Sequence, residues 1–248
     1  MKLILLKQQD ISKQMVKHIT HTNQTSLKSL SRFIQILDGS FPSGMFVHSF
    51  GLEPHIVKEK VKDIDTLKIY LENLIIDQYC KMEFVYIQKT YKFLEENKLF
   101  LVKKLDNEIS SYLTYEYAKA SKNIGHNYYV QIKDTLDKTK VKEYFSFIKD
   151  EKADANELIV LAAYAYDLDI DIKDFIVMWT KKNLINIAAT SIKISRIKPS
   201  DIQKMLFKFD DLLENMDFNF DEKITNFNPL FEEVIFEHKT LEPKMFVT

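Results

Sequence analysis

Residues 65–97 read DTLKIYLENLIIDQYCKMEFVYIQKTYKFLEEN. Leu67, Leu71, Leu74, Ile75, Met82, Val85 and Tyr86 recur mainly at steps of three and four, the spacing that one buried face of an α-helix requires. Period-two alternation is absent, so the stretch does not read as a strand. The pattern predicts helix throughout 65–97, with Asp65 as its cap, because a short side-chain oxygen accepts from the free N–H groups of a first turn.

Working outward, the same period returns. Ser200 and Gln203 have capping-box spacing, and Ile202, Met205, Leu206, Phe209, Leu212 and Leu213 form the stripe of a helix starting at Ser200. Residues 109–132, 141–149, 155–166 and 172–194 also read as helices, the last two apolar enough to lie centrally. Further on, Asn228 is a cap candidate, Pro229 suits a first helical position, Glu232 and Glu233 meet the positive end of the helix dipole, and His238 and Lys239 fall near the other end. With 4 glycines and 5 prolines in 248 residues, turn formers are too few for a fold of many short strands. The expected fold is all-α, a single-domain bundle of roughly eight to ten helices. It spans 26–239, after an N-terminal extension over 1–25 and before a C-terminal tail over 240–248.

Composition excludes several function classes. The 35 basic and 36 acidic side chains leave a net charge of -1, without the positive excess of a nucleic-acid binder. Cys80 is the single cysteine, so no internal disulfide and no cysteine zinc site is possible, and a reducing, cytoplasmic location is expected. No segment has the roughly 18 apolar residues of a membrane helix, and the apolar run in MKLILLK is shorter than the roughly 7–15 residues of a signal core. Only Arg32 and Arg196 are arginine, while the other basic residues are lysine.

The rare residue types gather in FPSGMFVHSFGLEPHI, residues 41–56. Pro42-Ser43-Gly44 reads as a turn. Pro54 is tolerated only in a first turn, so a helix should begin near Phe50 or Gly51, with Glu53 exposed in that turn. His48, Glu53 and His55 suggest a metal or catalytic cluster in a helical enzyme, but His48 precedes the helix, and Glu53 and His55 are two apart and point to different faces. Ser49 and Cys80 lack the surroundings of a nucleophile. Polar His48, Ser49 and Glu53 beside apolar Met45, Phe46 and Phe50 instead make up a contact surface, as in a helical interaction domain. No catalytic and no metal-ligating residue is assigned.

LDGSFPSGMFVHSFGLE (37–53) resembles the N-terminal signature of the UreF family of urease accessory proteins. FNPLFEEVIFEHKTLEPKMFVT (227–248) resembles that family's C-terminus. Between them, YAKASKNIGHNYYV (117–130) places Gly125 on the glycine of a family helix, and Asp201 and Gln203 fall on a family pair. The resemblance covers roughly residues 28–248, and the two end motifs are its specific part. It implies an all-α homodimer that is not an enzyme. Such a protein bridges UreD (also called UreH) and the GTPase UreG in the complex that delivers nickel to apo-urease. No cofactor is bound tightly, and nickel passes through as cargo. The implied partner-binding residues are Phe46, His48, Ser49, Gly51, Leu52 and Glu53 in the first motif, and His238, Leu241, Lys244, Met245 and Phe246 in the last. Glu53 is the first choice for a functional carboxylate, and its replacement by alanine should leave the fold intact. The family's tail arginine is Lys244 here, which keeps the charge and loses the planar fork. The tail, with Pro243 interrupting any helix, is expected to be loosely held until it docks on a UreD-like partner.

Overall fold

The stretch 65–97 is helical in the computed structural model, but it is not one helix. The structure describes residues 25–44, 51–194, 197–220, 223–225, 242 and 245. Among them are ten α-helices and no strand: α1 (Leu27–Leu37), α2 (Leu52–Val57), α3 (Ile64–Asn73), α4 (Glu83–Glu95), α5 (Leu99–Ile109), α6 (Tyr115–Ile132), α7 (Thr139–Lys149), α8 (Glu157–Asp167), α9 (Ile172–Ile194) and α10 (Pro199–Glu214). The all-α expectation holds. None of these helices is long and apolar enough to cross a membrane.

α3 runs into a π-helical turn, Leu74–Tyr79, and the chain leaves helical geometry over residues 80–82 before α4 begins. The wide turn is closed by Cys80 N–H donating to Ile75 O at 2.9 Å, and one extra residue per turn changes the helical phase. All seven apolar residues of the expected stripe are buried nonetheless, because the π turn and the break keep both halves facing the core. The cap is Asp63 rather than Asp65. Asp63 Oδ1 accepts from Thr66 N at 2.9 Å, and Thr66 Oγ1 accepts from Asp63 N at 3.1 Å, a reciprocal pair that satisfies two orphan donors. Asp65 lies inside the first turn, where the dipole favours an acid.

Three other boundaries differ from expectation. α10 starts at Pro199 with Lys198 before it and no side-chain cap, so the Ser200/Gln203 box does not form; proline's preset φ starts the helix. Ile109 closes α5, and α6 starts only at Tyr115 after a 3-10 turn, Ser110–Tyr112. α8 starts at Glu157, since Ala155 has φ +58° and Asn156 Oδ1 caps the helix by accepting from Leu158 N at 3.1 Å. The helix expected to start at Asn228 lies outside the described residues.

α8 is the central element, with Leu158, Ile159, Val160, Leu161 and the alanines through Ala165 all buried. It packs chiefly against α4 and α6, and each large apolar side chain so buried contributes about 1.5–3 kcal/mol. α6 approaches the start of α8 so closely that a Cβ on Gly125 would lie 2.0 Å from Ala155 O and 2.6 Å from Glu157 N. Only glycine permits that crossing. The same corner is clamped from α5 by Asp106, which is fully buried. Its Oδ1 accepts from Asn156 N at 2.6 Å, and its Oδ2 accepts from Ala155 N at 2.9 Å and from Tyr144 Oη of α7 at 3.0 Å.

A candidate contact site at the start of α2

The loop after α1 is built on α6. Asp38 Oδ1 accepts from both the backbone N–H and the hydroxyl of Ser40, and the hydroxyl bond holds the Asp38 carboxyl below its ordinary range. The Phe41 ring stacks on Tyr128 with centroids 5.3 Å apart, and Asn127 Nδ2 donates to Ser43 O at 3.0 Å. The expected turn at Pro42-Ser43-Gly44 is present, with Gly44 at φ +81°, a conformation that costs glycine nothing.

Beneath the loop, Asp38, Gly39, Ser43, Tyr128, Lys182 and Asn186 surround a polar cavity of about 10 Å³, the room that one water occupies. Lys182 is buried and donates to Glu157 Oε1 at 2.7 Å. Burial works against the charged ammonium, but Glu157 and Tyr128 more than offset it, so the Lys182 pKa lies above the usual lysine value. Removing one member of such a buried pair costs about 3–5 kcal/mol, because the other charge is left uncompensated.

α2 begins at Leu52 with Gly51 before it at φ +83°, within one or two residues of the expected start, and Pro54 falls in the first turn where its missing N–H costs nothing. His55 Nδ1 donates to Gly51 O at 2.7 Å, and the ring leans edge-on against Tyr70 at 4.9 Å. Burial holds the His55 pKa below its ordinary value. The exposed Glu53 of the sequence reading is not found: Glu53 is 2% exposed. Its Oε1 accepts from Met245 N at 2.7 Å, so the acid faces the chain's own C-terminal segment. A charge-assisted bond of this kind contributes about 1.5–3 kcal/mol, more than the helix dipole alone gives an exposed acid.

The structure therefore brings Gly51, Leu52 and Glu53 together with Met245, across 192 residues of sequence. Leu52 is wholly buried, while Met245 is 58% exposed and tied down by its backbone. Phe46, His48, Ser49, His238, Leu241, Lys244 and Phe246 lie outside the described residues. Among the described residues, no three His, Cys, Asp or Glu side chains are grouped where they could hold a metal ion. Sequence reasoning missed Asn127, Tyr128 and Lys182 as supports of the loop. Lys182 had a readable signal, a charge inside the apolar run of α9, whereas Asn127 had none.

The UreF family profile matches residues 61–210, which includes α3 through α9 and most of α10. A protein named urease accessory protein UreF from Bacillus sp. (strain TB-90) is 26% identical over 189 residues, covering 76% of this chain and 83% of that protein. Its namesake from Ureaplasma urealyticum serovar 10 is 26% identical over 194 residues with the same coverage, and one from Ureaplasma parvum serovar 3 is 25% identical over 194 residues. With a profile matched over more than half its length, on a helical bundle whose two signature-like ends meet at Glu53, the chain belongs to the UreF family.

Proposed function

We propose that this chain is a non-catalytic adaptor of urease maturation. It bridges a UreD/UreH-like accessory protein and a UreG-type GTPase in the complex that delivers nickel to apo-urease, and it works there as a homodimer in the cytoplasm. Nickel is cargo rather than a resident cofactor. The observation that carries the reading is the Glu53–Met245 bond, which joins a residue of the first signature-like segment to one of the last. Membership of a family whose relatives are named urease accessory proteins supports it.

In this reading Phe46, His48 and Ser49 form one part of the contact surface, and His238, Leu241, Lys244, Met245 and Phe246 form the other; Gly51 and Leu52, expected among the contacts, are buried and shape the turn instead. Glu53 positions the tail rather than touching a partner. The test is to delete the gene in its host and assay urease, then to restore either the whole chain or a chain lacking residues 240–248, with pull-down of the UreD-like and UreG-like proteins. The expected result is inactive urease without the chain and lost capture of the UreD-like protein without the tail. Full urease activity in the deletion strain would end the adaptor reading, and unchanged capture by the shortened chain would remove the tail from the surface.

A further inference from the structure

The joint between the π turn and α4 holds a buried acid that the adaptor role does not use. Glu83 begins α4, directly after the non-helical residues 80–82, and is 3% exposed. Its Oε1 accepts from Gln78 Nε2 of the π turn at 2.6 Å, while its Oε2 is buried without a partner. A neutral carboxyl tolerates that arrangement, whereas a carboxylate with a bare buried oxygen does not. The surroundings are aromatic. Tyr79 meets Trp179 edge-on at 4.9 Å, and Phe84 lies 6.4 Å from Trp179 and 5.2 Å from Phe220. The chain after α10 is fastened here too, by Thr225 N–H donating to Lys81 O at 3.1 Å and by Gln88 Nε2 donating to Phe218 O at 2.8 Å.

We propose that the protonation state of Glu83 sets whether this joint is closed. With the carboxyl neutral, α4 seats on the π turn and Phe218 and Thr225 stay fastened. When the proton leaves, the bare oxygen seeks water and the fastening at Lys81 loosens. Ionisable groups surround Glu83: Tyr79 and Cys80 at the joint, Tyr86 of α4, Tyr117 of α6, and Glu157 of α8 with its partner Lys182 of α9, while Tyr70 of α3 lies beyond Tyr79 and Tyr117. Burial keeps the four tyrosines protonated and pushes the Cys80 thiol up to about 11. The Glu157 charge opposes a second negative charge at Glu83, and burial with that repulsion outweighs the Gln78 bond, lifting Glu83 to about 7. His55, against Tyr70, titrates on the acid side of its ordinary value.

Trp179 is the chain's one tryptophan, so its fluorescence reads this joint directly. The experiment follows that emission in the intact chain between pH 5.5 and 8.5, with hydrogen exchange of the Thr225 amide, corrected for its intrinsic pH dependence, as a second readout. The wild type should show a transition centred near pH 7 and faster Thr225 exchange above it. Glu83→Gln should abolish both, Gln78→Met should move the midpoint to higher pH, and Asp106→Asn should leave the transition in place. A flat wild-type profile, an unchanged transition in Glu83→Gln, or an unmoved midpoint in Gln78→Met would overturn the proposal. The Gln78 variant and the amide exchange keep the test decisive if Glu83→Gln does not fold.

Discussion

Asp106 and Glu83 are two of the buried carboxyl groups in this bundle, and their surroundings differ in one respect. Asp106 receives three donors and binds α5 to α7 and to the start of α8, whereas Glu83 receives one side-chain donor and leaves an oxygen bare. Burial pushes each of them up to about 7. The donors decide what each acid does for the fold. The Asp106 corner is a fixed point, because the donors it holds, together with the closeness of Gly125, keep the left-handed Ala155 in place. The Glu83 joint has no such closure, and one of its carboxyl oxygens meets no donor.

The largest effect should come from the fixed corner. Gly125→Ala improves helix propensity by about 1 kcal/mol, yet the new Cβ would collide with backbone 2.0 Å away, and backbone cannot swing aside as a side chain can. Net destabilisation of at least about 3 kcal/mol is expected, read as a fall in denaturation midpoint. A stabilised Gly125→Ala protein would dissolve the claim that this corner is tight. Next is Asp106→Ala, which strands two backbone N–H groups and the Tyr144 hydroxyl in the interior and should cost about 3 kcal/mol or more. Tyr144→Phe removes only one of those bonds and should cost about 1–2 kcal/mol. Equal losses for these two variants would show that the backbone donors find other partners.

Glu83→Gln should have the smallest effect at neutral pH, and its sign depends on pH. The folded-state pKa of Glu83 lies above its unfolded value, so the native state binds the extra proton between about pH 4.5 and 7. Stability from this group is therefore complete at low pH and is lost as pH rises through about 7. Measured as a difference from wild type, so that His55 and other groups cancel, the variant should gain relative stability steadily across that window. A pH-independent difference would show that folding does not raise the Glu83 pKa.

Much of the fold was legible in sequence because apolar period survives irregular backbone. The seven stripe residues of 65–97 are all buried even though a π turn and a break divide the stretch. What could not be read was any feature where a polar residue occupies an apolar position. Asp106 sits on the buried face of α5 with Val102, Leu105 and Ile109, and an acid there hides the helix from a search by period. Asp63 and Asp65 are both chemically able to cap α3, and only Thr66 three residues after Asp63 distinguishes them. At the site, Gly51 and Pro54 marked the start of α2 to within one or two residues. The burial of Glu53 was not visible, because its partner Met245 is supplied from the far end of the chain.

That last bond has a consequence for synthesis. During translation the residues around Glu53 emerge long before Met245, so the bond between them waits until the intervening bundle has been made. The helices between them are rich in local contacts and free to form beforehand. A chain cut before Met245 would thus keep the helices between and lack the Glu53–Met245 bond, so that bond reports that synthesis has passed residue 245.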